Sequence, residues 1–143
     1  MTVAPATIFA LASAPGRAGV AVLRLSGPDA GPALLSLAPD LMALPVPRRA
    51  ARVFLYASES ISDGDRERID DGLALWFPAP ASFTGEDVVE LHVHGGHAVL
   101  DSLMTSLQSL SGLRPAMPGE FSRRAFEHGK MDLTAVEAIA DLV

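Results

Sequence analysis

Between Phe83 and Gly96 the chain reads Phe-Thr-Gly-Glu-Asp-Val-Val-Glu-Leu-His-Val-His-Gly-Gly, and this run restricts the fold more than any other. It has the form of a loop, a short strand and a glycine turn. A strand sends successive side chains to opposite faces. Val89, Leu91 and Val93 therefore share one face, and Glu90, His92 and His94 share the other. The first face demands a core. The second carries a carboxylate and two imidazoles, then reaches Gly95 and Gly96, where no side-chain bulk fills the space. Such a face suits a small-molecule pocket better than a solvated surface.

The chain has 143 residues, enough for one domain, or one domain and a piece of another. It has no cysteine, which excludes disulfides, thiolate catalysis and cysteine-based zinc sites. No apolar run approaches the roughly 20 residues that a membrane-spanning helix needs. No basic segment precedes the first apolar stretch, as a secretory signal would require. A soluble, cytoplasmic protein without a membrane partner is the expectation. The net charge is -6, and the basic residues fall in small groups: Arg48, Arg49 and Arg52, then Arg114, Arg123, Arg124 and Lys130. A grip on nucleic acid needs clustered positive charge, so direct binding by this chain alone is expected to be weak. Of the 11 basic residues only Lys130 is a lysine, which marks it for a specific role or for chance on an arginine-rich background.

The remaining pattern predicts strands over 7–13, 19–26, 50–58, 71–77 and 88–93. Residues 19–26 are apolar on both faces except for Arg24, as in a buried strand. A helix is predicted from near Pro28 to about Leu37, with irregular chain over 39–47. The acidic segment from Glu59 to Asp71 reads as a solvated loop. From Ala98 to Leu110 the period turns helical, with Val99, Leu103, Leu107 and Leu110 along one stripe. A turn over 113–119 leads to a short helix, about Glu120 to His128, stopped by Gly129. Thr134-Ala-Val-Glu137 is a capping box that opens one more helix. The expected fold is α+β: a mixed or antiparallel five-stranded sheet with about three helices. The last helix stops in mid-stripe, so the chain is expected to be the front of a longer protein, with that helix frayed or packed on another chain.

Several residues carry possible chemistry. Arg24 is a charge in an apolar strand and needs a carboxylate partner or an anionic ligand. A structural ion pair, with Glu90 as a partner, and a bidentate anion clamp both satisfy it. Glu90 has the same ambiguity: it can pair with Arg24, or accept two parallel N–H bonds from an aminopyrimidinone edge such as a pterin's. His92, His94 and His97 have spacing that metal sites use. Histidines beside a glycine turn are more often structural or pocket residues, and no metal ligand is assigned. A phosphate or carboxylate could sit where the helix begins after Gly96. The chain has no Gly-x4-Gly-Lys-Ser/Thr motif, no Gly-x-Gly-x-x-Gly and no nucleophile elbow. Nucleoside triphosphate binding of the P-loop type is excluded, and no catalytic residue is assigned.

Three blocks in order, residues 14–27, 77–96 and 118–143, resemble the N-terminal region of the MnmE (TrmE) family of tRNA modification GTPases. The last block contains Pro-Gly-Glu-Phe-Ser-Arg-Arg-Ala-Phe-Glu-His-Gly-Lys-Met-Asp-Leu. The resemblance implies a domain over 1–130 that binds 5-formyltetrahydrofolate or a related tetrahydrofolate and mediates homodimerisation. Residues 131–143 would begin a helical domain. The implied fold is similar to the folate-binding part of the glycine-cleavage aminomethyltransferase. The family's folate-contacting arginine, glutamate and lysine fall on Arg24, Glu90 and Lys130. The family works with the FAD-dependent partner MnmG on the wobble uridine (U34) of tRNA, so contact with tRNA is expected to be indirect. GTP, magnesium and potassium would belong to a GTPase domain that this segment lacks, and the segment alone is not expected to be catalytic. A purely structural dimerisation module and a metal-dependent enzyme using the histidines are the competing readings. The chain departs from the family's usual residues at Val93, His97, Glu127 and His128, around the expected pocket mouth.

Overall fold

A computed structural model describes residues 5–13, 19–58, 66–132 and 134. The elements run β1 (Thr7–Leu11), β2 (Val20–Ser26), α1 (Ala30–Leu37), β3 (Ala51–Tyr56), β4 (Arg68–Phe77), β5 (Val88–His94), α2 (His97–Ser109), β6 (Leu113–Pro115) and α3 (Glu120–Glu127). The six strands form one sheet in the order β3-β4-β5-β2-β1-β6. Every neighbouring pair is antiparallel except β1 with β6, which makes the sheet mixed.

One face of the sheet is the core face. Leu23 and Leu25 of β2 and Val89 and Leu91 of β5 are fully buried. They join Leu34 and Leu37 of α1 and Leu103 and Leu107 of α2 in a single apolar cluster. Placing α2 here follows from its sequence, since the four-residue step from Leu103 to Leu107 keeps both on one stripe. The opposite face is only partly covered. Val20 is 56% exposed and Leu73 is 43% exposed, although both are aliphatic strand residues. The expectation that β2 is buried on both faces is thus corrected: α1 and α2 pack on one face, while on the other α3 reaches only the Arg24 end and Val20 stays exposed among the described residues.

The sheet has six strands rather than five. Residues 113–115, expected in a turn, run parallel to β1, pairing Thr7 with Leu113 and Phe9 with Pro115. A three-residue strand is too short to show alternation, and its proline argues against a strand unless it lies at an edge, as here. β4 begins at Arg68 rather than at the expected Asp71, so Asp70 belongs to the strand and not to a solvated loop. Gly72 is required within it, because a Cβ there would run into the His92 carbonyl oxygen of the neighbouring strand. The turn after β1 and the tip of the acidic loop lie outside the described residues. So does the helix expected beyond Thr134.

Candidate functional site on the open face of the sheet

The register of β2 against β5 pairs Arg24 with Glu90 directly across the strands. Arg24 donates Nε at 3.3 Å and Nη2 at 3.1 Å to Glu90 Oε2. Glu90 Oε1 lies 3.3 Å from His92 Nε2. The two side chains of the ion pair keep 25% and 20% of their surface, so both are half-buried and still open to a visitor. Two aromatic rings flank the guanidinium: the Phe83 centroid is 5.0 Å away and the Phe121 centroid 6.0 Å. Arginine over a ring face gains cation–π attraction.

Lys130 follows α3 and is exposed. It is not bonded to Arg24 or Glu90. It lies beside the same loop that carries Phe83, with its Cε 3.6 Å from where a Cβ on Gly85 would sit. Gly85 has φ +84°, a left-handed conformation, and a Cβ there would also meet His128 Cβ at 2.6 Å. The loop between β4 and β5 is therefore the shared neighbour of Arg24, through Phe83, and of Lys130, through Gly85.

The histidines do not act together. His92 turns to Glu90, whereas His94 Nδ1 meets Asp70 Oδ1 at 2.8 Å. His97 opens α2. The Asp70 hydrogen bond raises the His94 pKa above its ordinary 6.5, helped by the charges of Asp70 and Asp71 against a small cost of burial. Asp70, Asp71 and His94 bring ligand-type atoms within 4.8 Å of one another. Asp71, however, is already engaged by Arg52 Nη2 at 2.8 Å.

Reasoning from the sequence missed a largely buried ionic chain. Arg124 of α3 donates Nη1 to Glu86 Oε1 at 3.1 Å and Nη2 to Glu120 Oε2 at 3.1 Å. Glu120 also accepts both ends of Arg114, at 2.7 and 2.6 Å. The Ser26 hydroxyl donates to Glu86 Oε1 at 2.8 Å and shares a 2.7 Å hydrogen bond with Thr84 Oγ1. Arg124 is 6% exposed and Glu120 2%, so neither belongs to a basic or acidic surface. The hydrogen bond from Arg114 holds the Glu120 carboxyl down at about 2 from its ordinary 4.5, with smaller help from the Met117 N–H and the charges of Arg114 and Arg124. The available signal was the four-residue step from Glu120 to Arg124, which places opposite charges on one helical face.

The family model of the GTP-binding protein TrmE N-terminus matches residues 7–130. The tRNA modification GTPase MnmE of Paramagnetospirillum magneticum is 64% identical over 137 residues, covering 96% of this chain and 29% of that protein. The MnmE of Rhodospirillum rubrum is 58% identical over 144 residues, covering 96% and 31% respectively. The mouse mitochondrial 5-taurinomethyluridine-tRNA synthase subunit GTPB3 is 53% identical over 137 residues, covering 96% of this chain and 27% of its own. The chain thus spans about three tenths of the length of these relatives. With the family model running from the first strand to Lys130, the chain belongs to the TrmE (MnmE) family and matches the N-terminal part of its members.

Proposed function

We propose that this domain binds a reduced folate, 5-formyltetrahydrofolate or a close relative, on its open sheet face, and that two copies associate there. The observation that carries the reading is the Arg24–Glu90 pair. It is a half-buried carboxylate and guanidinium in register on adjacent strands, flanked by Phe83 and Phe121. The donor set suits the ligand. A carboxylate accepts the paired N–H groups of an aminopyrimidinone. Arginine and lysine match the folate's carboxylates. Phenylalanine rings offer faces to its planar heterocycle. Glu90 would hold the pterin, and Arg24 and Lys130 the acceptor groups and carboxylates. A fold likeness to the aminomethyltransferase folate domain belongs to the same reading. When bound, the folate would supply the one-carbon unit that the complete protein places on the wobble uridine, with MnmG as flavin partner. The chemistry would proceed in the cytoplasm.

The exposed Val20 and Leu73 support self-association, since aliphatic side chains on an uncovered sheet face gain from being buried against a second copy. A second reading, a structural module without ligand, draws on the same ion pair. Equilibrium dialysis with 5-formyltetrahydrofolate separates the two. Under the folate reading, Glu90→Ala and Lys130→Ala each weaken binding at least about tenfold, the scale of a lost charged hydrogen bond. Under the structural reading Glu90→Ala lowers the melting temperature and leaves ligand retention unchanged.

A further inference from the structure

The ionic chain Arg114–Glu120–Arg124–Glu86 buries Glu120, Arg124 and Glu86, with Arg114 and Arg123 meeting Glu120 from its exposed side. Buried ion pairs contribute little net stability, because desolvation offsets their attraction. A packed apolar cluster would serve folding as well. What the chain does have is reach. Through Glu86 it grips the loop that bears Phe83 and Gly85, and through Glu120 and Arg124 it grips α3, which bears Phe121 and leads to Lys130. Arg124 also donates to the Ser26 carbonyl at the end of β2, the strand of Arg24, at 3.4 Å. Phe83 and Phe121, the two rings beside the Arg24 guanidinium, lie on the two segments that this network joins.

We infer that Glu86 and Arg124 are positioning residues: they lock the Phe83 loop to α3, so that Phe83 and Phe121 are held beside the Arg24 guanidinium and Lys130 beside the Phe83 loop. Seating of α3 and order in the site are then one event. By reciprocity, a ligand that bridges Arg24 and Lys130 tightens α3, and a shift of α3 weakens that ligand. The ligand half of this inference rests on the folate reading. The positioning half does not.

The test compares Glu86→Gln with Leu107→Ala in the full chain. Leu107→Ala is a destabilising change in the core on the other side of the sheet. Two probes report on the site without ligand. One is the side-chain Nε–H resonance of Arg24. The other is hydrogen exchange at the Gly85 and Glu86 amides, which bond to Ser82 Oγ and Thr84 Oγ1. In Glu86→Gln the Arg24 resonance shifts and the loop amides exchange at least about tenfold faster, the scale of one lost charge-assisted bond. In Leu107→Ala, at a similar melting temperature, both stay as in the wild type. If the two variants melt earlier and neither probe distinguishes them, the network is merely structural and the inference fails. Should Glu86→Gln not fold, Arg114→Ala at the partly exposed end of the chain makes the same comparison. Affinity for 5-formyltetrahydrofolate is expected to fall about threefold to thirtyfold in Glu86→Gln. Unchanged affinity overturns the inference. A wild type that binds no folate rejects the folate reading, while the resonance and exchange data still decide the positioning role.

Discussion

The Glu120 carboxyl contributes to the acid response of this domain. Glu120 titrates at about 2 in the folded state against 4.5 ordinarily, because Arg114 and Arg124 favour its charged form. A depressed carboxyl stabilises fully above its unfolded value, and that contribution is lost as pH falls through the folded value. Stability should therefore decline from about pH 4.5 toward pH 2, by about 3 kcal/mol from this group. Glu120→Gln should remove most of that dependence in urea melts across the range, and a slope as steep as the wild type's would show that Glu120 is not its source. His94 moves the other way. Asp70 raises its pKa, so the pair contributes below the ordinary 6.5 and fades as pH rises through the raised value. In an NMR titration His94 should titrate above 6.5, and Asp70→Asn should bring it back toward that value. Equal midpoints in the two proteins would remove Asp70 as the cause.

The elements follow the sequence where a period is long enough to read. The alternation in β5 separates Val89, Leu91 and Val93 from Glu90, His92 and His94, and burial divides the same way: the first three are at most 2% exposed. The stripe of α2 points Leu103 and Leu107 into the core. Leu107→Ala should accordingly cost about 2–5 kcal/mol in a chemical melt. A loss below about 1 kcal/mol would place α2 outside the cooperative core. β6 could not be read because three residues hold no period. The start of β4 before Asp71 was hidden because Asp70 looks like a loop residue until His94 is placed beside it. The open side of β2 was hidden for a related reason. An apolar residue says that it can be buried, not what will bury it. Of the candidate site, Arg24 and Glu90 stood out as charges in apolar strands, and Lys130 as the only lysine. Arg124 did not, because a cation on a short helix looks solvated unless two carboxylates are known to close over it.

At the scale of the whole molecule, α1 and α2 cover one sheet face, and on the other, among the described residues, α3 flanks Arg24 while Val20 and Leu73 stay exposed. If a second copy uses that face, Val20→Asp with Leu73→Asp should shift sedimentation from dimer to monomer with little change in melting temperature. A dimer that persists would put the interface elsewhere. The central claim, that the open face receives a reduced folate, is tested most directly by titration calorimetry of the folded protein with 5-formyltetrahydrofolate. The account predicts saturable binding that Glu90→Ala weakens at least about tenfold. A dimeric wild type that gives no saturable heat, and no ligand-induced shift in melting temperature, would contradict it.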